Sequence, residues 1–307
     1  MESISKLSSK DIEWINISQK GDEEINFLRK GFNFLESDIQ ECLKETVHPA
    51  IFIRGDYAFF EMLFPVYNRK TQLLENGEIN FFIKDNILIT IHNNKMFQIS
   101  DFFNLLENDG YLKSKFLQGN PIILLCGIFD YLLNSYFPML DHMEEDVVDL
   151  EKMIFAGEER QNTKNILKLR WNIVNFKRTI ESHKNIIEHL ISDGEHLFSV
   201  SRLKIYYSVL IDKIDDISKI LDNQKESIGA LEQTNNSLVS FQLNDIMKVL
   251  AIISVIMMPA TFISQLFGMS AKIPLNSESS STFYIVLSLC ILSMVLFIFY
   301  FRKKKWF

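Results

Sequence analysis

Two uncharged apolar runs near the C-terminal end, Val249 to Phe267 and Phe283 to Phe301, constrain this chain more than anything else in it. The first follows Asn244, Asp245 and Lys248 and ends in Gly268-Met269-Ser270; the second stops against Arg302-Lys303-Lys304-Lys305. Each is nineteen residues long, which at about 1.5 Å per residue gives roughly 28 Å, close to the hydrocarbon thickness of a bilayer. Lipid offers no partner for backbone N–H and C=O groups, so each run is expected to be a membrane-spanning helix. Two spans put both chain ends on one side, and the basic run after the second marks that side as the cytoplasm. The loop from Gly268 to Thr282, with Lys272 and Glu278, then lies outside. The first thirty residues are polar and lack a hydrophobic signal core, so no cleaved secretory signal is expected.

The two runs differ in kind. The first carries Ser254, Thr261, Ser264 and Gln265, with Met257-Met258-Pro259 at its middle. Unpaired polar groups are costly in lipid, so such a helix faces other helices or water, unless its hydroxyls bond back to their own turn. Both readings stay open on position and polarity alone. The second run has only Ser288, Cys290 and Ser293 as mildly polar members and reads as the outer, lipid-facing helix.

At 307 residues with 23% charged, the chain has room for one soluble domain beside a membrane part. A net charge of -7 argues against a nucleic-acid partner. Cys42, Cys126 and Cys290 are scattered, with no spacing for a disulfide framework or a thiolate metal site. The sequence has no nucleophile elbow, phosphate-cradling glycine loop or zinc-protease helix, so no enzyme and no bound cofactor are expected.

Glu13 to Ile17 alternates as a strand, and Glu24 to Lys30 reads as a short helix. Ser37 to Gln40 has capping-box spacing and is expected to open another helix. Ala50–Ile53, Tyr57–Val66, Ile79–Ile83 and Ile87–His92 read as strands separated by Arg54-Gly55-Asp56, Asn76-Gly77 and Lys84-Asp85-Asn86, which predicts an antiparallel sheet. From Pro121 the pattern turns helical: one helix from Ile122 to Phe155, interrupted or bent near Pro138, and another from Asn162 to Ile191, with a hairpin turn at Ala156-Gly157. The carboxylates between Asp141 and Glu151 read as a solvated face before they read as a metal site. His183, His189 and His196 form no metal-binding pattern.

The next helix carries a heptad seam. Leu203, Leu210, Ile217, Gln224, Leu231 and Leu238 recur every seven residues, and Tyr207, Ile214, Leu221, Ile228, Asn235 and Gln242 recur four positions later. Such a seam belongs to helices packed around a shared axis, or to one amphipathic helix lying on its own domain. An unbroken helix from Ser199 to Phe267 would be on the order of 100 Å long, which favours association of several copies. Gln224, Asn235, Gln242 and Asn244 then read as a bundle widening into a water-filled lumen.

Four motifs in one order carry a resemblance to the CorA family of divalent cation channels. Here they read Asn244-Asp245-Ile246-Met247-Lys248-Val249-Leu250, Met258-Pro259-Ala260-Thr261-Phe262-Ile263, Phe267-Gly268-Met269, and a basic run ending in Trp306-Phe307. The family's Gly-Met-Asn is Gly268-Met269-Ser270 here, and its acidic Met-Pro-Glu is Ile273-Pro274-Leu275.

The resemblance implies an α+β fold organised as a funnel-shaped homopentamer in the inner membrane. It divides into a cytoplasmic αβα domain (1–120), a willow-like helical hairpin (121–198), a stalk helix (199–248) continuous with the pore helix (249–267), an outer loop (268–282), an outer helix (283–301) and a basic tail (302–307). It also implies selectivity at Gly268, Met269, Ser270, Thr261 and Asn244, with a hydrated cation at Gly268 and Ser270. Met247, Leu250 and Met258 become gating constrictions, Arg302, Lys303, Lys304 and Lys305 a basic ring, and Asp212 the survivor of a metal-sensing run whose histidine position is Lys213. The partners implied are other copies of the chain, the bilayer and the divalent cation carried, Mg²⁺ with Co²⁺ or Ni²⁺. Zn²⁺ transport of the related zinc branch and a non-conducting scaffold remain as alternatives.

Overall fold

The computed structural model describes residues 3–68, 70–93, 96–157, 159–198, 204–268 and 280–304, and the chain divides into two units, Met1–Glu232 and Gln233–Phe307. The first is built on a six-stranded sheet: β1 (Ile4–Ser8), β2 (Glu13–Ile17), β3 (Ala50–Ile53), β4 (Tyr57–Asn68), β5 (Leu73–Lys84) and β6 (Ile87–His92), in the order β1-β2-β6-β5-β4-β3. The four strands expected to be antiparallel, β3 to β6, are so paired, and the sheet as a whole is mixed. β2 runs parallel to β6, with Trp14 opposite Leu88, because the long excursion between them returns the chain in the same direction.

Asn76-Gly77 is not a turn. It lies inside β5, opposite Pro65 and Phe64, and the glycine is there for space: a Cβ at Gly77 would meet Met96 Sδ at 2.1 Å and Val66 Cγ2 at 3.0 Å. The reversal comes earlier, before β5, where Gln72 takes a φ of 56° and Asn68 Oδ1 accepts from the Lys70 amide at 2.9 Å.

Strand alternation gives the sheet two apolar faces, each covered by helices. Ile15, Ile17, Phe59 and Phe82 meet Ile25, Leu28, Ile39 and Cys42 of α1 (Asp22–Gly31) and α2 (Glu36–Leu43). The opposite face packs under α3 (Phe97–Asn108) and α5 (Pro121–Asn134), with α4 (Gly110–Phe116) packed against those two helices. There Phe81 stands 5.6 Å from Phe129, and Trp14 Nε1 donates to Thr90 Oγ1, which donates to Asn16 Oδ1. The capping box at Ser37 does not form: α2 begins at Glu36 on an extended Leu35, and the Ser37 hydroxyl bonds Asp38 Oδ1 inside the helix.

Of the interruption or bend expected near Pro138, the structure shows an interruption. α5, capped by Asn120 Oδ1 on the Ile122 amide, ends at Asn134, and α6 (Phe137–Ala156) restarts with the proline in its first turn, where a missing N–H costs nothing. Gly157, at φ 85°, turns the chain into α7 (Glu159–Asp193), followed by the short α8 (Glu195–Phe198). Pro121–Ala156 is apolar enough to cross a membrane by composition, yet 56% of its most apolar window is buried in the chain's own core.

α9 (Lys204–Gly268) is one continuous helix of 65 residues. Within the first unit its seam is filled by the chain itself: Tyr207, Leu210, Ile214, Ile217, Leu221 and Ile228 are buried. Lys184 and Arg170 of α7 pair with Asp215 at 2.7 Å and Glu232 at 3.0 Å, Lys177 pairs with Asp222, and Lys213 reaches back to Asp130 of α5. This corrects the lumen reading of the polar seam members. Gln224 is 2% exposed and donates to the Leu140 carbonyl of α6 at 3.0 Å, and Asn235 is 5% exposed. Only Gln242 and Asn244 lie on an open surface.

In the second unit the remainder of α9 is accompanied by α10 (Ser280–Lys303). Cys290 of α10 is buried, with Sγ 3.7 Å from the Ala260 carbonyl and 3.9 Å from Ser264 Oγ. The most apolar windows of α9 and α10 are only 11% and 6% buried.

Candidate pore face and the residues around it

An α-helix advances about 100° per residue. Taking Thr261 as the origin, Leu250 and Gly268 lie at about -20°, Met247 at about +40° and Met258 at about +60°, while Asn244 lies farther round at about +100°. Met247, Leu250 and Met258 are more than half exposed, and Asn244 and Thr261 are exposed as well. The sequence-predicted constrictions and the Thr261 donor therefore share one bare strip of α9.

The hydroxyls of that helix bond back to it. Thr261 Oγ1 donates to the Met258 carbonyl at 2.8 Å and Ser254 Oγ to the Leu250 carbonyl at 2.9 Å. Each proton is used internally, and the oxygen lone pairs stay open to accept a hydrogen bond from water. Pro259 sits inside the helix and has no N–H for the Val255 carbonyl one turn earlier, which leaves a further acceptor in the span.

α9 is helical through Gly268. Met269 and Ser270 lie outside the described residues, as do Lys272, Leu275 and Glu278. Arg302, Lys303 and Lys304 are exposed at the end of α10, with Lys304 Nζ 5.9 Å from the Tyr300 ring centroid. Lys305, Trp306 and Phe307 lie outside the described residues.

Asp212 is exposed on α9 and has no ion-pair partner among the described residues. Its neighbours are committed: Lys213 pairs with Asp130 and donates to Asn134 Oδ1 at 2.8 Å, Asp215 pairs with Lys184, and Asp216 with Lys219 at 3.1 Å. Among the described residues no three His, Cys, Asp or Glu side chains come together as a metal site. Asp141, Glu144, Glu145, Asp149 and Glu151 are exposed, as a solvated face should be. His183 is buried, donates from Nε2 to the Leu63 carbonyl at 2.7 Å, and is held neutral by burial that pushes its pKa down to about 4.

Sequence reasoning missed one ionisable constellation in the first unit. Glu61 and Asn80 stand opposite each other on β4 and β5, both buried, with Glu78 on the same face. Lys20 pairs with Glu78 and Thr46 Oγ1 donates to Glu61 Oε1 at 3.2 Å. Burial, helped by Glu41 and Glu78 and opposed by Thr46 and Lys20, pushes Glu61 up to about 7. Glu78 stays below the usual carboxylate value, because Lys20, Asn80 and Thr46 outweigh its desolvation. The available signal was a lone glutamate inside the apolar strand Tyr57–Phe64.

A mixed α/β unit joined to terminal helices that are apolar, long and almost bare of burial inside the chain defines a membrane protein with a soluble N-terminal domain. Its family follows from comparison: residues 9–303 match the model of the CorA-like Mg²⁺ transporter protein family, and the chain belongs to that family. It is a transporter, not an enzyme. It is 24% identical over 297 residues to the cobalt/magnesium transport protein CorA of Thermotoga maritima, covering 95% of this chain and 83% of the relative. The complete structure of the CorA magnesium transporter from Methanocaldococcus jannaschii matches with a TM-score of 0.79 at 22% identity, over 99% and 98% of the two chains. The cytoplasmic domain of ZntB from Vibrio parahaemolyticus matches with a TM-score of 0.61 at 14% identity, over 76% and 90%.

Proposed function

We propose that copies of this chain, five in number, surround a pore lined by α9 and carry Mg²⁺, with Co²⁺ as a second cargo, across the inner membrane. The observation that carries the reading is the exposed strip of α9, where apolar Met247, Leu250 and Met258 share a face with the oxygen donor Thr261. Symmetry turns one weak donor per chain into a ring, and rings of oxygens with apolar constrictions between them are how channels select and gate.

Mg²⁺ gives up its water reluctantly. Acceptors with free lone pairs, such as Thr261 Oγ1 and the Asn244 amide oxygen, suit the outer face of its aqua shell. Gly268, Met269 and Ser270 form the mouth, where serine offers a shorter acceptor than asparagine and weakens capture. Met247, Leu250 and Met258 close the path by excluding water. Both termini are cytoplasmic, and Arg302 to Lys305 lie at the headgroup level around the neck. Asp212 is the candidate regulatory carboxylate.

The test is ion flux into proteoliposomes holding the purified protein, with Mg²⁺, Co²⁺, Ni²⁺ and Zn²⁺ compared with and without a proton gradient. Proton-independent Mg²⁺ uptake is expected, and Ser270→Asn should raise it at low Mg²⁺. Zn²⁺ uptake that needs the gradient would move the chain to the zinc branch, and no flux of any ion would make it a scaffold.

A further inference from the structure

Four polar side chains interrupt the apolar part of α9, and the pore reading uses only Thr261. Ser264 is accounted for by Cys290 on the α10 side. Ser254 closes its hydroxyl on the Leu250 carbonyl and is tolerated in any surroundings. Gln265 is different. Its carboxamide carries two donors and a carbonyl with two lone pairs, the residue is exposed, and its side chain has no hydrogen-bond partner among the described residues. Left against hydrocarbon, such a group would cost several kcal/mol. It has to face water or another polar surface.

The helix turn says which. Gln265 lies at about +40° from Thr261, inside the arc bounded by Leu250 and Met258, whereas Ser264 and Ala260, the residues touching Cys290, lie at about -60° and -100°. Gln265 and Thr261 also border a groove of about 530 Å³ beside α10, lined by apolar residues such as Phe283, Leu287 and Met294 and by Ser264 and Cys290, whose polar atoms contact each other. Along the axis Gln265 is three residues, about 4.5 Å, below Gly268.

We propose that Gln265 is a specificity-determining residue of the pore: its carboxamides form a polar ring one turn inside Gly268 that hydrogen-bonds the water shell of the entering cation. The proposal rests on the pore reading above. It places two acceptors in series, Gln265 and then Thr261, behind a mouth whose serine is short. Recognition of the shell there depends on carbonyl oxygens accepting from metal-bound water, so a cation that keeps its waters crosses this ring intact.

The experiment uses the full-length protein in proteoliposomes. Mg²⁺ and Co²⁺ uptake are measured in competition for the wild type, Gln265→Leu, Gln265→Asn and Ser264→Ala. Gln265→Cys is exposed to a membrane-impermeant cationic thiol reagent; native Cys42, Cys126 and Cys290 are buried. Gln265→Leu should lower Mg²⁺ uptake about tenfold, the weight of one lost hydrogen bond, and change the Mg²⁺ to Co²⁺ ratio. Gln265→Asn should restore part of both, and Ser264→Ala should keep the wild-type ratio. The introduced thiol should react from the aqueous phase, more slowly when Mg²⁺ is present. A conducting protein whose ratio is unchanged by Gln265→Leu, or whose introduced thiol is inert, would overturn the proposal and leave the pore standing. A wild type that conducts no divalent cation would overturn the pore and this ring with it. Should Gln265→Leu fail to assemble, the thiol reaction decides alone.

Discussion

The two stretches of α9 make an instructive pair. Between Tyr207 and Ile228 its apolar positions are buried by helices of the same chain, and its flanks are tied to α5 and α7 by lysine and arginine ion pairs. Between Phe241 and Leu266 the helix is as regular, yet Phe241, Ile246, Met247, Leu250, Met258 and Phe262 are exposed. The first stretch satisfies itself. The second leaves both its apolar surface and its polar atoms uncovered by the chain itself. Periodicity reports that a face is buried in both cases and is silent about what buries it.

The sharpest way to break the comparison is to delete the same side chain in each stretch. Ile217→Ala empties a fully buried site and should destabilise the soluble unit by about 2 to 5 kcal/mol. Ile246→Ala removes an exposed side chain and should leave that unit unchanged. Urea unfolding of the full-length protein in detergent, followed by hydrogen exchange in β4 and β5, reads both. Equal losses would mean that the two stretches belong to one cooperative core.

Polar groups divide the same way. In the soluble unit Glu61 is trapped against Asn80 and Thr46 and titrates near 7. Its folded pKa is raised, so the native state holds a proton that the unfolded chain has already lost between about pH 4.5 and 7. Stability from this group is therefore full below about pH 4.5 and falls as pH rises through 7, by at most about 3 kcal/mol. Asp38 has the opposite sign: burial opposes ionisation, but Arg54 and Tyr57 more than offset it and lower its pKa, so its contribution is lost only in acid. Comparing urea midpoints at pH 5.5 and 8 should show the wild type weaker at pH 8 and Glu61→Gln nearly flat. A slope that survives Glu61→Gln would assign it elsewhere.

These outcomes bear on what could be read from residues alone. The two spans were legible because lipid imposes length and forbids charge, and both requirements are local. Asn76-Gly77 misled because a turn dipeptide is a local signal, whereas the reason for Gly77 is Met96, nineteen positions later and on another element. The parallel pairing of β2 with β6 was hidden for the same reason, being set by a connection that spans α1 to β5. Spacing alone reads Gln224 as lumen-facing, because it cannot tell a second copy from α6 of the same chain. Around the candidate pore, the shared face of Met247, Leu250, Met258 and Thr261 is arithmetic on a helix. The contact of Ser264 with Cys290, which separates it from Gln265, needed α10 in place.

Gln224 gives a smaller and more pointed test. Its amide nitrogen donates to Leu140 while Oε1 is buried without a partner. Gln224→Ala, which opens a cavity as well as losing the bond, should cost about 1 to 2 kcal/mol. Gln224→Leu should be near neutral, because it also removes the orphaned oxygen. Neither should alter ion selectivity, whereas Gln242→Leu, on an exposed position, should leave stability alone. A change in Mg²⁺ uptake caused by Gln224→Leu in a well-folded protein would return Gln224 to the lumen.

The smallest effect lies on the flank of α9. Arg170, Lys177 and Lys184 stand seven residues apart on α7 and meet Glu232, Asp222 and Asp215 in reverse order along α9, so the two helices run antiparallel with one charge contact every two turns. These pairs are largely solvated, and each should contribute little to stability. Lys184→Ala should lower the urea midpoint slightly at low salt and not at all in about 1 M salt, where the screening length falls to about 3 Å. The buried seam beneath should be indifferent to salt, so the difference between Lys184→Ala and Ile217→Ala at high salt isolates the apolar part of the contact. If Lys184→Ala instead costs as much at high salt as at low, its four-carbon stem rather than its charge covers the seam, and the ladder belongs to the packing of α9 rather than to its electrostatics.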